Sequence, residues 1–109
     1  MDRMRARWIL YSAAILLGVV AARPAAAITA GDVMDKMDGH ERASFLAGAA
    51  DMASYLYALA GNRTKADCVV DWHFHQEGSL REIHDVFNAH KDLDAVGVLS
   101  VLVDRHCGK

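Results

Sequence analysis

Proline occurs once in the 109 residues, at Pro24, so every segment beyond it is free of the one residue that breaks a helix by lacking an amide proton. Cysteine occurs twice, at Cys68 and Cys107, too few for a disulfide-dense miniprotein or a four-cysteine zinc module. Between Ile28 and Lys109 no run shows the strict apolar–polar alternation of a half-buried strand. Residues 28–109 hold no clustered Lys/Arg stripe, and with it goes the phosphate-binding surface that nucleic acid requires. There is neither a phosphate-cradling glycine loop nor a Gly-x-Ser-x-Gly elbow around Ser44, Ser54, Ser79 or Ser100. The longest uncharged run, Trp8 to Ala22, holds about 15 residues, short of the ~20 that cross a bilayer as a helix.

What that run does have is the setting of an export signal. Arg3, Arg5 and Arg7 precede it, Arg23-Pro24 closes it, and Ala25-Ala26-Ala27 supplies small residues for cleavage after Ala27. The alternative is an uncleaved N-terminal anchor. Residues 1–27 are expected to be a cleaved signal peptide, and 28–109 one domain, placed outside the membrane in the periplasm. Cleavage would remove four of the 12 basic and one of the 14 acidic residues, leaving 8 against 13 and a net charge of −5 with His neutral. All six histidines, His40, His73, His75, His84, His90 and His106, lie in that domain, so their full protonation would carry the charge to +1.

Export also bears on the two cysteines. In an oxidising compartment an even pair reads as a disulfide. It would close a loop of about 40 residues and contribute on the order of 4 kcal/mol. The alternatives are two free thiols or half of a metal site.

The domain is expected to be all-α, a small bundle of about four to five helices. Thr29 and Asp32 fit a capping box for a short first helix with Val33, Met34 and Met37 on its apolar face. Asp38 and Glu41 fit a second box, opening the longest helix, in which Phe45, Ala49, Met52, Leu56 and Leu59 recur on one apolar face up to Gly61-Asn62. Arg63 to Lys65 reads as a polar link. Ala66 to His75, with Val69, Trp72 and Phe74, reads as a third helix, with a short strand as the alternative. Gln76-Glu77-Gly78 is a turn, and Ser79-Leu80-Arg81-Glu82 is the clearest capping box in the chain. It opens a helix carrying Leu80, Ile83, Val86 and Phe87. The last helix starts near Asp92 or Asp94, buries Val96, Leu99, Leu102 and Val103, and closes on Cys107-Gly108.

Candidate chemistry is sparse. His73 and His75 could share a metal on a strand, but on a helix they diverge by about 200°. A cysteine nucleophile needs a free thiolate, which a disulfide removes. No catalytic residue, metal or cofactor is assigned, and the chain is not expected to be an enzyme. Gly48, inside the longest helix, costs about 1 kcal/mol against Ala, so either something approaches its bare backbone or the cost is tolerated.

Phe45, Gly48 and Asp51 form an aromatic-x-x-Gly-x-x-Asp pattern in the long helix, followed by Cys68, a capped helix, and a last helix ending on Cys107. With the signal peptide, this order resembles the Rap/Tai family of small periplasmic immunity proteins, over nearly the whole of 28–109. Many members have Tyr where Phe45 stands, and many have a further Cys pair whose first member falls about where Met37 is. The resemblance implies a helical protein, commonly a homodimer, that binds and blocks a peptidoglycan amidase toxin delivered by type VI secretion. It implies Cys68–Cys107 as the structural disulfide and Phe45, Gly48 and Asp51 as the helix motif. The polar, Gly-containing turn of His75, Gln76, Glu77 and Gly78 is the candidate partner-contact loop. The competing reading is an acid-responsive periplasmic chaperone, motivated by the six histidines and by the adaptable Met34, Met37 and Met52.

Overall fold

The computed structural model describes residues 27–109. The proposed signal peptide, Ala27 apart, lies outside the described residues. Those residues form an all-α bundle of five helices with one disulfide: α1 (Asp32–Lys36), α2 (Gly39–Leu59), α3 (Arg63–His75), α4 (Ser79–Ala89) and α5 (Ala95–Cys107).

The first capping box forms as expected. Thr29 donates its amide to Asp32 (3.1 Å), and its hydroxyl accepts from the Asp32 amide (3.1 Å). Lys36, 2.8 Å from Asp32, and the Thr29 amide hold the Asp32 carboxyl below its ordinary pKa, and Lys36 is raised by the same contact. What the sequence did not indicate is that α1 winds as a π-helix. Arg42 from α2 completes its C-terminal end. Its guanidinium donates to the carbonyls of Val33 (3.2 Å), Met34 (2.9 Å) and Met37 (3.2 Å), groups that a helix terminus otherwise leaves orphaned.

The second box, Asp38 with Glu41, opens α2, and the Glu41 amide holds the Asp38 carboxyl low. Gly61, with φ of +83°, supplies the left-handed residue after α2. Arg63 to Lys65 is not a link. Asn62 accepts from the Lys65 amide (3.1 Å), and α3 begins at Arg63. The strand alternative for 66–75 gives way to helix, and Asp94, not Asp92, caps α5 by accepting from the Gly97 amide (2.8 Å).

The Ser79 capping box is corrected outright. Gly78, left-handed at φ of +85°, precedes α4, and no side chain caps that end. The Ser79 hydroxyl points the other way and donates to the carbonyls of His73 (3.2 Å) and Gln76 (3.1 Å), so it finishes α3. Glu82, freed from the box, reaches His106 on α5.

The core is formed by Val33, Leu46, Val69, Trp72, Ile83, Phe87, Leu99 and Leu102 among others, drawn from all five helices. Ala30 and Val33 close one end, because the chain at 28–31 pairs with the α4–α5 connection. Ala30 donates to Leu93 O (2.8 Å), Gly31 to Lys91 O (2.9 Å) and Ala95 to Ile28 O (2.9 Å), around an isolated antiparallel bridge between Thr29 and Asp94. A Cβ on Gly31 would stand 2.9 Å from Lys91 O, so this close approach requires glycine.

Two expected core faces are displaced. On α2 the buried residues are Leu46 and Ala50, whereas Met52, Leu56 and Leu59 of the expected face are 57%, 55% and 66% exposed. The stripe has helical period, but the core takes the neighbouring stripe, in which Leu46 and Ala50 are joined by the half-buried Ala53 and Tyr57. On α5, Val96 is exposed and Val98 takes its place. Phe74 and Leu80, also expected on apolar faces, are each 43% exposed.

Candidate functional site

Residues 75–78 join α3 to α4, and the sequence around them leaves the turn little freedom. Ser79 fastens its two ends to one another, Gly78 reverses the chain at positive φ, and the Gln76 amide nitrogen donates back to Asp71 (3.3 Å). His75 lies 3.9 Å from the same Asp71. All four side-chain positions, His75, Gln76, Glu77 and Gly78, are exposed. The result is an exposed polar turn braced by Ser79 at its base.

Just before the turn stands His73, half-buried beside a small apolar groove of about 60 Å³ between α2, α3 and α5. Leu46, Ala49 and Ala53 of α2, Trp72 of α3 and Leu99 of α5 line it with His73. Burial lowers the pKa of His73, and the Asp51 carboxylate on α2 offsets part of that shift. The ring packs edge-on against Phe74 (4.6 Å between centroids). His73 and His75 stand on one helix and do not share a face. Among the described residues no group of three His, Cys, Asp or Glu side chains could hold a metal ion.

The far side of α3 is the fastened side. Cys68 and Cys107 are bonded, with their Cα atoms 5.8 Å apart, joining α3 to the end of α5. One turn along, His106 stacks on Trp72 (5.0 Å between centroids, 21° between planes) and shares a 2.6 Å hydrogen bond with Glu82 of α4. Lys65 is almost wholly buried at its side chain, 2.9 Å from Asp104 and 4.4 Å above the Tyr57 ring. Its contact with Asp104 raises its pKa. Sequence reasoning did not find Lys65, Asp104, Glu82 or His106. Their pairing joins residues 24 to 39 positions apart, and no spacing rule spans that distance.

The three motif residues do not converge. Phe45 is half-buried against the core, Asp51 is exposed, and the helix places them about 120° apart. Among the described residues, nothing beyond its own helix backbone and chain neighbours lies within 4 Å of where a Gly48 Cβ would be, so no other described segment approaches its bare backbone. Asp51 alone connects with the rest, through its charge on His73, two residues before the contact loop. Compared with known protein families, curated proteins and solved structures, the chain shows no match.

Proposed function

We propose that the chain is a small periplasmic binding protein of the immunity type, which engages a protein partner through the α3–α4 turn and has no catalytic role of its own. On this reading residues 1–27 are its export signal, and the partner is a cell-wall hydrolase toxin of the peptidoglycan amidase class. The observation that carries the reading is the braced turn. Ser79 and Gly78 hold its backbone while His75, Gln76 and Glu77 stand in solvent, the Gln76 side chain bonded to Asp71. A contact segment ordered in advance forfeits little entropy on binding, which is the usual route to tight inhibition. The acidic balance of 28–109 favours encounter with a basic partner.

The test is affinity purification of the oxidised protein from periplasmic extract at neutral pH, read by mass spectrometry. One stoichiometric hydrolase is expected, with capture lost on Glu77→Lys. Recovery of no hydrolase, with the disulfide intact, would overturn the reading.

His73 favours a second reading, the acid-responsive chaperone. A histidine held neutral beside an apolar groove is placed to open that groove when acid protonates it. A domain that exposes no new apolar surface between pH 5 and 3, measured by binding of a hydrophobic dye, would exclude it.

A further inference from the structure

Helices α2 and α5 each pack on α3 but scarcely on one another. The groove left between them has Trp72 as its floor, Ala49 and Ala53 on the α2 wall, and Val96 and Ser100 on the α5 wall. Both of its ends are fixed. At one, Lys65 spans from the Tyr57 ring of α2 (4.4 Å) to Asp104 of α5 (2.9 Å). At the other, Arg42 of α2 is bonded to the carbonyls of Val33, Met34 and Met37, and Ala95 of α5 to Ile28 O, so both helices start beside the 28–37 segment. The two walls therefore run parallel, over about 16 Å from Leu46 to Tyr57. No Asp, Glu, Lys or Arg lines the groove. Its space of about 60 Å³ suits one aliphatic side chain, whereas pockets for small-molecule ligands run to about 300 Å³ and more. The small side chains of Ala49, Ala53 and Ser100 let another backbone come close, and exposed Leu56 and Val96 extend the apolar surface beyond the rim.

Charge differs between the two ends. Where α2 and α5 start, Asp38, Glu41, Asp92 and Asp94 are exposed, and none is in an ion pair among the described residues. The cations beside them are engaged, Lys36 with Asp32 (2.8 Å), Lys91 with Asp35 (3.0 Å) and Arg42 with its three carbonyls. The positive ends of the two helix dipoles offset part of the four carboxylates and leave this end acidic. We propose that the groove seats an amphipathic α-helix of a protein partner, antiparallel to α2 and α5, with one aliphatic anchor over Trp72 and with Lys or Arg in its last turn against the acidic end. Helix-in-groove recognition rests on such an anchor. Cations are favoured in the last turn of a helix, and the antiparallel direction sets the partner's dipole against those of the two walls. This surface is distinct from the α3–α4 turn, and it stands or falls separately from the partner proposed above.

The experiment titrates the full chain, as expressed and oxidised, with two synthetic amphipathic peptides of about 15 residues. Both carry leucines at helical spacing on one stripe. One has its lysines in the last turn, and the other has the same composition with the lysines in the first turn. Calorimetry gives Kd, and the NMR signal of the Trp72 indole reports the groove. The first peptide is expected to shift that signal and to bind at least about fivefold more tightly than the second. Ser100→Trp, which fills the opening, is expected to raise its Kd at least about tenfold. The Ser100 hydroxyl bonds only within its own helix, to Val96 O, so circular dichroism is expected to be unchanged. Asp92→Lys is expected to weaken binding several-fold. Asp85→Lys, an equal change of charge on the outer side of α4, is expected to leave Kd within about twofold. A Trp72 signal that neither peptide moves, or equal losses from Asp92→Lys and Asp85→Lys, overturns the proposal. So does a sedimentation mass of two chains that Ser100→Trp returns to one, since a second copy would then fill the groove.

Discussion

Helix α5 has 13 residues and buries five of them, whereas α2 has 21 and buries two. Both are rich in apolar residues, and both carry Asp at the N-cap. The difference lies in how each is held. At its N-terminus α5 is bonded to the chain's first described residues, through Ala95 to Ile28 O and the Thr29–Asp94 bridge. At its C-terminus it is tied by Cys107 to α3, with Lys65–Asp104 and Glu82–His106 on either side of that bond. A helix held at both ends against α3 and α4 buries most of one face. By contrast α2 packs chiefly on α3, so one stripe is buried and the adjacent apolar stripe stays in solvent. Apolar content therefore does not determine burial here. Attachment does, and the unattached apolar face is the one left available for another molecule.

The largest expected effect comes from cutting the attachment. Replacing Cys68 and Cys107 together with Ser releases a loop closed across a sequence separation of 39. The expected loss is on the order of 4 kcal/mol on the chain-entropy account, or a fall in Tm on the order of 20 °C for a domain of this size. A Tm within about 5 °C of the parent would mean that α5 is held by its packing alone.

Next comes the packing itself, and a pair of adjacent residues sharpens it. Leu102 is 1% exposed and its neighbour Val101 is 60% exposed. Leu102→Ala is expected to cost about 3 kcal/mol through lost burial and a residual cavity, and Val101→Ala less than about 0.5 kcal/mol. Denaturant unfolding of both variants gives the comparison directly. Equal losses would show that α5 is not seated as described.

Gly31 tests the tether at the other end of α5. Its φ of −63° suits alanine, which is also the better helix former by about 1 kcal/mol. Against that gain, the new Cβ would stand 2.9 Å from the backbone oxygen of Lys91, which has no flexible end to swing away. Gly31→Ala is therefore expected to destabilise by about 1 kcal/mol net. It should also speed hydrogen exchange at the Ala95 amide, whose bond to Ile28 O depends on the same pairing. A stabilised variant would mean that the 28–31 segment is not pinned.

This contrast between ends and faces also marks what the sequence made legible. The Thr29 and Asp38 boxes and the terminal glycines were readable, and the α5 cap was narrowed to Asp92 or Asp94, because each rests on contacts three or four residues apart. Ser79 misled because a serine preceding Glu by three fits a cap equally well whether its hydroxyl turns forward or, as here, back to His73 O and Gln76 O. On α2 two apolar stripes run side by side, and periodicity alone cannot say which one α3 will cover. Of the candidate site, the turn and the disulfide were legible. The Trp72–His106–Glu82 stack and the buried Lys65 were not, because they exist only once three helices are assembled.

The smallest effect expected concerns His73, which lies between the two regions, on α3 and beside the groove that α2 and α5 share. Burial favours its neutral form and Asp51 only partly opposes this, so its pKa in the fold lies below the ordinary value of 6.5. Between those two values the unfolded chain binds the extra proton, and stability then rises with pH. The contribution is full above the unfolded value and is lost as pH falls through the folded one. Asp32 and Asp38, both held low, act in a separate window, where stability is lost as pH falls below about 3.8. His73→Gln removes the first slope and leaves the second. Because the ring is only half-buried, the change is modest, and it is best measured as the difference in denaturant midpoint between pH 7 and 5. If His73→Gln retains the parent's full slope in that interval, the charge-sensitive group lies elsewhere, and the groove between α2 and α5 is not the part of this fold that responds to acid.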